Sequence, residues 1–284
     1  MSRYTAHLQL HGAALLVGIS ALLGKSLTVS AGMIVLGRAA FALLAISLLC
    51  LCLRQRPWHG VSVTTAGKLL ATGAALGMHW LLFFVAVQTG GVAVATLGFA
   101  SFPAFTALIE RLLFGQRLGR ADGLILILVS VGLVLVTPSF DLDDGSTAGL
   151  LWGVLSGASY AAIAVANKHF SSNVGGLPAC WWQCLAISAL LAPLLWRELP
   201  LIEGRDWLLL MALGVFCTGL AYSLFIAALR QVRTNTAAVV IAVEPVYAIA
   251  GAWLLFGAVP SGGMLLGGAL ILSAVAWSGL RAGS

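Results

Sequence analysis

What most constrains this chain is the length and spacing of its apolar runs. Segments of about 17 to 25 residues with few or no charges recur from end to end, and that is the length an α-helix needs to cross roughly 30 Å of hydrocarbon at about 1.5 Å per residue. Windows of about 19 residues place spans near 8–24, 31–53, 67–88, 92–114, 122–138, 147–168, 178–196, 207–229, 236–256 and 262–280, about ten helices with short connections. A β-barrel would show shorter, alternating segments, and the runs do not alternate. With 61% hydrophobic residues, 8% charged and a mean hydropathy of +1.04, the 284-residue chain reads as an all-α integral membrane protein.

Charge sets the expected orientation. The formal net charge is +6, but the basic residues sit in short clusters between spans, so topology explains them better than nucleic acid. Arg3, Arg54, Arg56, Lys68, Arg111, Arg117, Arg120, Lys168, Arg230, Arg233 and Arg281 fall on one side, against Lys25, Arg197 and Arg205 on the other. Both termini are therefore expected in the cytoplasm of a bacterial-type inner membrane. Trp58, Trp196 and Trp207 at span ends read as interfacial anchors. Cys50, Cys52, Cys180, Cys184 and Cys217 lie in or beside apolar runs and read as free, buried thiols rather than a disulfide or zinc framework. The first apolar run resembles a signal peptide, yet it is read as a retained span because the internal repeat needs it.

That repeat is the most informative pattern in the chain. The segment FPAFTALIERLLFG (102–115) aligns with EPVYAIAGAWLLFG (244–257), so that Pro103 matches Pro245 and LLFG matches LLFG 142 positions later. The register extends upstream, pairing Phe83 with Phe225, Ala95 with Ala237 and Gly77 with Gly219, and a similar shift pairs Lys25 with Lys168. Residues 1–140 and 141–284 are expected to form two five-helix halves. An odd number of spans per half makes the second half enter from the opposite side, the inverted repeat that gives a transporter two exchangeable states about a midplane site.

These spans, the paired prolines followed by LLFG, and Arg38 in the second span resemble the EamA-type drug/metabolite transporter family. FGQR (114–117) is similar to the aromatic amino-acid exporters of the YddG type within it, whereas Gln116 and Ala258 stand where many members carry Glu. The resemblance implies a basket-like fold with a central cavity lined mainly by spans 1, 3, 4, 6, 8 and 9. It implies a secondary transporter, not an enzyme, that exports small organic solutes by alternating access, with amino acids, aromatic ones included, as the first expectation. The rival is a multidrug, organic-cation or other metabolite exporter on the same fold. A membrane-embedded enzyme is the remote alternative, since only one acid is read as deep in the membrane and no phosphate loop or metal motif appears, and no cofactor is expected. Expected partners are a small-molecule substrate and the bilayer, with the chain a monomer or homodimer and proton coupling open.

Several residues could carry the chemistry. Glu244 sits mid-span, where a carboxylate costs about 2.5 to 3.5 kcal/mol on insertion scales and must face a cavity or a partner. It would either lock helices together or receive a substrate ammonium or an exchanged proton. Pro103 and Pro245 should kink their spans, freeing the carbonyls of Phe99 and Ile241, and are candidate hinges. Arg38, deep in the second span, could grip a carboxylate, pair with Glu244 or a carbonyl, or snorkel outward. Its repeat partner is Gln183. His79 is either a packing histidine or a proton carrier. It shares a helix face with Phe83, while Tyr222 and Phe225 define another. Phe99, Ser101, Tyr160 and Trp182 complete the candidate substrate-binding set, aromatic surfaces with a few polar tips.

Overall fold

In the computed structural model, residues 3–115, 119–137, 141, 143–170, 174–229, 231–232, 237 and 240–281 are described. Gln116, Arg117, Arg230, Arg233 and the Lys168 side chain lie outside them. Apolar runs become helices because a backbone in hydrocarbon must satisfy its own hydrogen bonds, and no strand occurs among the described residues. The order is α1 (Arg3–Ser26), α2 (Ala31–Cys52), α3 (Val63–Gly90), α4 (Val92–Phe99), α5 (Phe102–Phe114), α6 (Arg120–Val136), α7 (Gly145–Phe170), α8 (Gly176–Leu195) and α9 (Gly204–Gly214). A π-helical segment, Val215–Leu220, then leads into α10 (Ala221–Leu229), followed by α11 (Glu244–Phe256) and α12 (Gly262–Arg281). Among the described residues, seven segments are long and apolar enough to cross a membrane, with α4–α5 and α9–α10 each counted as one, and three shorter apolar helices join them. The chain is a multi-pass membrane protein.

Helix starts follow side-chain caps. Ser30 Oγ accepts from Met33 N at 3.2 Å to open α2, and Ser62 Oγ accepts from Thr65 N at 3.2 Å, so α3 begins before the apolar run that marked it.

The prolines act differently from the expected kinks. Pro103 and Pro245 are each the second residue of a new helix, α5 and α11, where a missing N–H costs nothing. The span at 92–114 is thus two helices joined through Ala100 and Ser101. α5 and α11 have 13 residues each and end on glycines with the same left-handed conformation, φ 65° and ψ 16° at Gly115 and Gly257. The repeated LLF before each glycine is exposed in both copies, which suits lipid contact.

Packing follows a matching pattern across the chain. α7 lies along α3 and against α4–α5, while α1 lies along the α9–α10 segment and against α11. α2 crosses α9 where Gly214 meets the Arg38 carbonyl, and α8 crosses α3 where Gly73 meets Gln183. α6 and α12 pair with each other, Gly132 against Gly267, apart from the other helices' main core. Small residues let these backbones approach closely.

One end is sealed. Thr28 donates from N and Oγ1 to Asp206 Oδ2 at 3.0 and 2.6 Å, Ser30 Oγ donates to Glu198 Oε2 at 2.7 Å, and Gln88 Nε2 donates to the Val29 carbonyl at 3.0 Å. The α1–α2 loop is thereby tied to α3, to α9 and to the loop before α9. Trp58 in the α2–α3 loop and Trp196 just after α8 are exposed, and Trp207 in the first turn of α9 partly so, which suits interfacial anchors. The cysteines are free as expected, but Cys52, near the end of α2, is exposed.

Candidate substrate site

Arg38 is held in the interior by contacts from two other helical segments. It is 7% exposed, so it does not snorkel. Its Nε donates to Thr218 Oγ1 at 2.8 Å, and its Cζ stands 4.1 Å from the centre of the Trp80 ring, a cation–π contact worth about 2 kcal/mol when desolvated. The π-helical turn explains the acceptor: Thr218 Oγ1 donates to Leu213 O, five residues back, at 3.1 Å, while its own lone pair faces Arg38. Among the described residues no hydrogen bond engages the terminal guanidinium nitrogens.

Glu244 opens α11 and is 7% exposed. Its backbone carbonyl lies against Gly18 of α1, where a Cβ would sit 3.1 Å away. No hydrogen bond reaches its carboxylate among the described residues. Arg38 and Glu244 act on each other through space without closing an ion pair, and Tyr160 lies within the same electrostatic reach of Glu244. Two buried ionisable side chains, one basic and one acidic, thus keep their working ends free of hydrogen bonds among the described residues, with Glu244 at the start of a helix whose dipole favours an anion there. Tyr222 of α10 stands near Tyr160, Cys180 and Cys184.

An aromatic cluster adjoins Tyr160. The His79 ring is 5.3 Å from Phe99 and 5.2 Å from Tyr160, Phe83 is 5.9 Å from Phe99, and Phe102 stacks on Phe99 at 5.6 Å. The shared face expected for His79 and Phe83 is present, since both meet Phe99. Tyr222 and Phe225 divide instead, Tyr222 packing on the central core and Phe225 on α1 around Leu10. His79 is tied to α7: Nδ1 lies 3.0 Å from the Ser156 carbonyl, which can only accept, so Nδ1 carries the proton, and Ser156 Oγ donates to the His79 carbonyl at 3.2 Å. That favours a bracing role for His79. Ser101 is fully buried and spends its hydroxyl on Gly98 O at 2.7 Å. Trp182 stands apart, its indole donating to Pro57 O at 3.2 Å and its ring edge-on to Trp181.

Gln183 makes the counterpart of the arginine tie, its Nε2 donating to Thr72 Oγ1 at 3.2 Å and to Asn167 Oδ1 at 3.4 Å. Sequence reading missed Trp80, Thr218 and Ser156. Trp80 had a signal in its place beside His79, one turn before Phe84, but nothing local announces the π-helical turn that presents Thr218.

The EamA-like transporter family matches the chain twice, over residues 5–137 and 147–280. The chain belongs to this family. EamA relatives include an uncharacterized transporter of Archaeoglobus fulgidus, 30% identical over 69% of this chain and 70% of its own length. The pseudopaline exporter CntI of Pseudomonas aeruginosa is 28% identical over 88% of this chain and 86% of its own. The threonine/homoserine exporter RhtA of Salmonella typhimurium is 26% identical over 81% and 77%. A protein of known crystal structure superimposes with a TM-score of 0.63 at 22% identity, covering 97% of this chain and 96% of its own, and so shares the fold. Gln116, on which the likeness to the YddG-type exporters turned, lies outside the described residues.

Proposed function

We propose that this EamA-family protein is a secondary transporter that exports small zwitterionic solutes, amino acids foremost, by alternating access about the Arg38–Glu244 site. The observation that carries the reading is the pair itself. A buried guanidinium held at Nε and on one face has its two terminal nitrogens free for a carboxylate, and a buried carboxylate without a partner suits an ammonium. Leaving both charges unpaired in a protein interior is costly, and a solute that supplies both counter-charges removes that cost. Aromatic solutes would add ring contacts with Phe99 and Tyr160.

The architecture supports the same reading. Seven long spans and three shorter apolar helices among the described residues are compatible with ten membrane helices. The twin caps of α5 and α11, the two crossings at Gly214 and Gly73, and the two family matches support two inverted repeats at 1–140 and 141–284. The ties of the α1–α2 loop would hold one end closed on this reading, and the interchange of the two halves would close the other. Both termini belong in the cytoplasm on this reading, and the membrane is the inner membrane. The relatives named for threonine, homoserine and pseudopaline export support export of small solutes.

A cation exporter is the second reading, favoured by Glu244 beside aromatic rings. Uptake into liposomes of labelled threonine, aromatic amino acids and organic cations, at several inside and outside pH values, separates the two. Amino acids should move faster than into empty liposomes, and Glu244→Gln should slow them and flatten their pH dependence. Movement of cations alone overturns the proposal.

A further inference from the structure

Helices α3 and α7 form a wedge. At one end they touch backbone to backbone, Gly90 against Gly149, and midway His79 Nδ1 meets Ser156 Oγ at 2.9 Å. Beyond that tie they part, leaving a cleft of about 580 Å³ whose walls include Ala71, Ala75 and Met78 of α3 and Ala162 and Ile163 of α7. Ala71, Ala75 and Met78 are an exposed stripe at helical spacing, on the side of α3 turned away from Trp80 and Phe83. The cleft therefore opens outward, toward lipid. Gln183 bars its inner side by bridging Thr72 and Asn167. The polar groups at its walls are spent, Thr72 Oγ1 on Leu69 O at 3.1 Å and Ser159 Oγ on Ser156 O at 2.7 Å, so the surface offered is apolar. Lys68, exposed in the second turn of α3, stands at the open end.

We propose that this cleft is a site for an anionic phospholipid, one acyl chain lying between α3 and α7 and the phosphate at Lys68. Alanines and a methionine leave a smooth apolar recess that fits a hydrocarbon chain and offers a zwitterionic solute nothing. The charge at its mouth, close to the positive end of the α3 dipole, complements a phosphate. A chain held there props α3 and α7 apart at the Lys68 end, and so favours the state in which that end is open.

The purified full-length protein, in detergent with added phosphatidylglycerol or phosphatidylcholine, is examined by native mass spectrometry. Wild type should retain one phosphatidylglycerol about fivefold more strongly than phosphatidylcholine, as one lysine near a headgroup allows. Lys68→Gln should abolish that preference, Lys68→Arg should keep it, and Arg111→Gln, a basic residue elsewhere, should leave it unchanged. Ala75→Trp fills the recess and should cut retention of both lipids while the melting temperature shows the protein folded. Equal retention of the two lipids by wild type, or undiminished retention by folded Ala75→Trp, overturns the proposal.

Discussion

Arg38 shows how much a single side chain depends on its neighbours. Thr218 fixes Nε and Trp80 fixes the guanidinium plane, so the residue is oriented before any solute arrives. Thr218→Val keeps the side chain's shape and removes the acceptor. A hydrogen bond to a charged group is worth about 1.5 to 3 kcal/mol, so the KM for carboxylate-bearing solutes should rise on the order of tenfold with little loss of maximal rate. An unchanged KM in that variant would show that the Trp80 face alone suffices. Glu244 and Arg38 were both legible in the sequence, because a charge deep in an apolar run has to be explained by a cavity or a partner. What they do with their free ends was not legible, since Thr218 and Trp80 come from other helices, and Trp182, equally polar-tipped, turns out to serve the α2–α3 loop.

At the scale of elements, breaks and close approaches matter more than kinks. The repeated prolines were readable, but periodicity does not tell a kinked helix from two helices in series, and only the caps at Ser101 and Val243 show the second. The close crossings can be tested directly. A Cβ at Gly149 would run into the backbone of Gly90, and neither helix can yield, so Gly149→Val should cost about 3 kcal/mol or prevent folding, read as a lowered melting temperature in detergent. The ties of the α1–α2 loop should be weaker than the crossings. Asp206, 2% exposed, holds two donors of Thr28, and Asp206→Ala should release the α1–α2 loop. A thiol reagent applied from that face should then label Cys217, buried near Arg38, several times faster than in wild type. Equal labelling would show that these ties do not restrict access from that face.

For the whole molecule, the long apolar runs made the membrane class plain, and the repeat at 102–115 and 244–257 led to the expectation of a two-half plan. The family match over residues 5–137 and 147–280 divides the chain at nearly the same place. The solute is harder to read because, on the proposed reading, it is selected by side chains from α2 and α11, which are far apart in the chain. Removing one charge from the solute and one from the protein asks whether those charges meet. The measurement is uptake into proteoliposomes of a transported amino acid, its methyl ester and its deaminated acid, by wild type and Arg38→Gln. Wild type should prefer the intact amino acid by on the order of tenfold or more, and Arg38→Gln should lose the preference over the ester while keeping that over the acid. If the ester and the amino acid move equally well through wild type, Arg38 does not bind the carboxylate and the zwitterion site is contradicted.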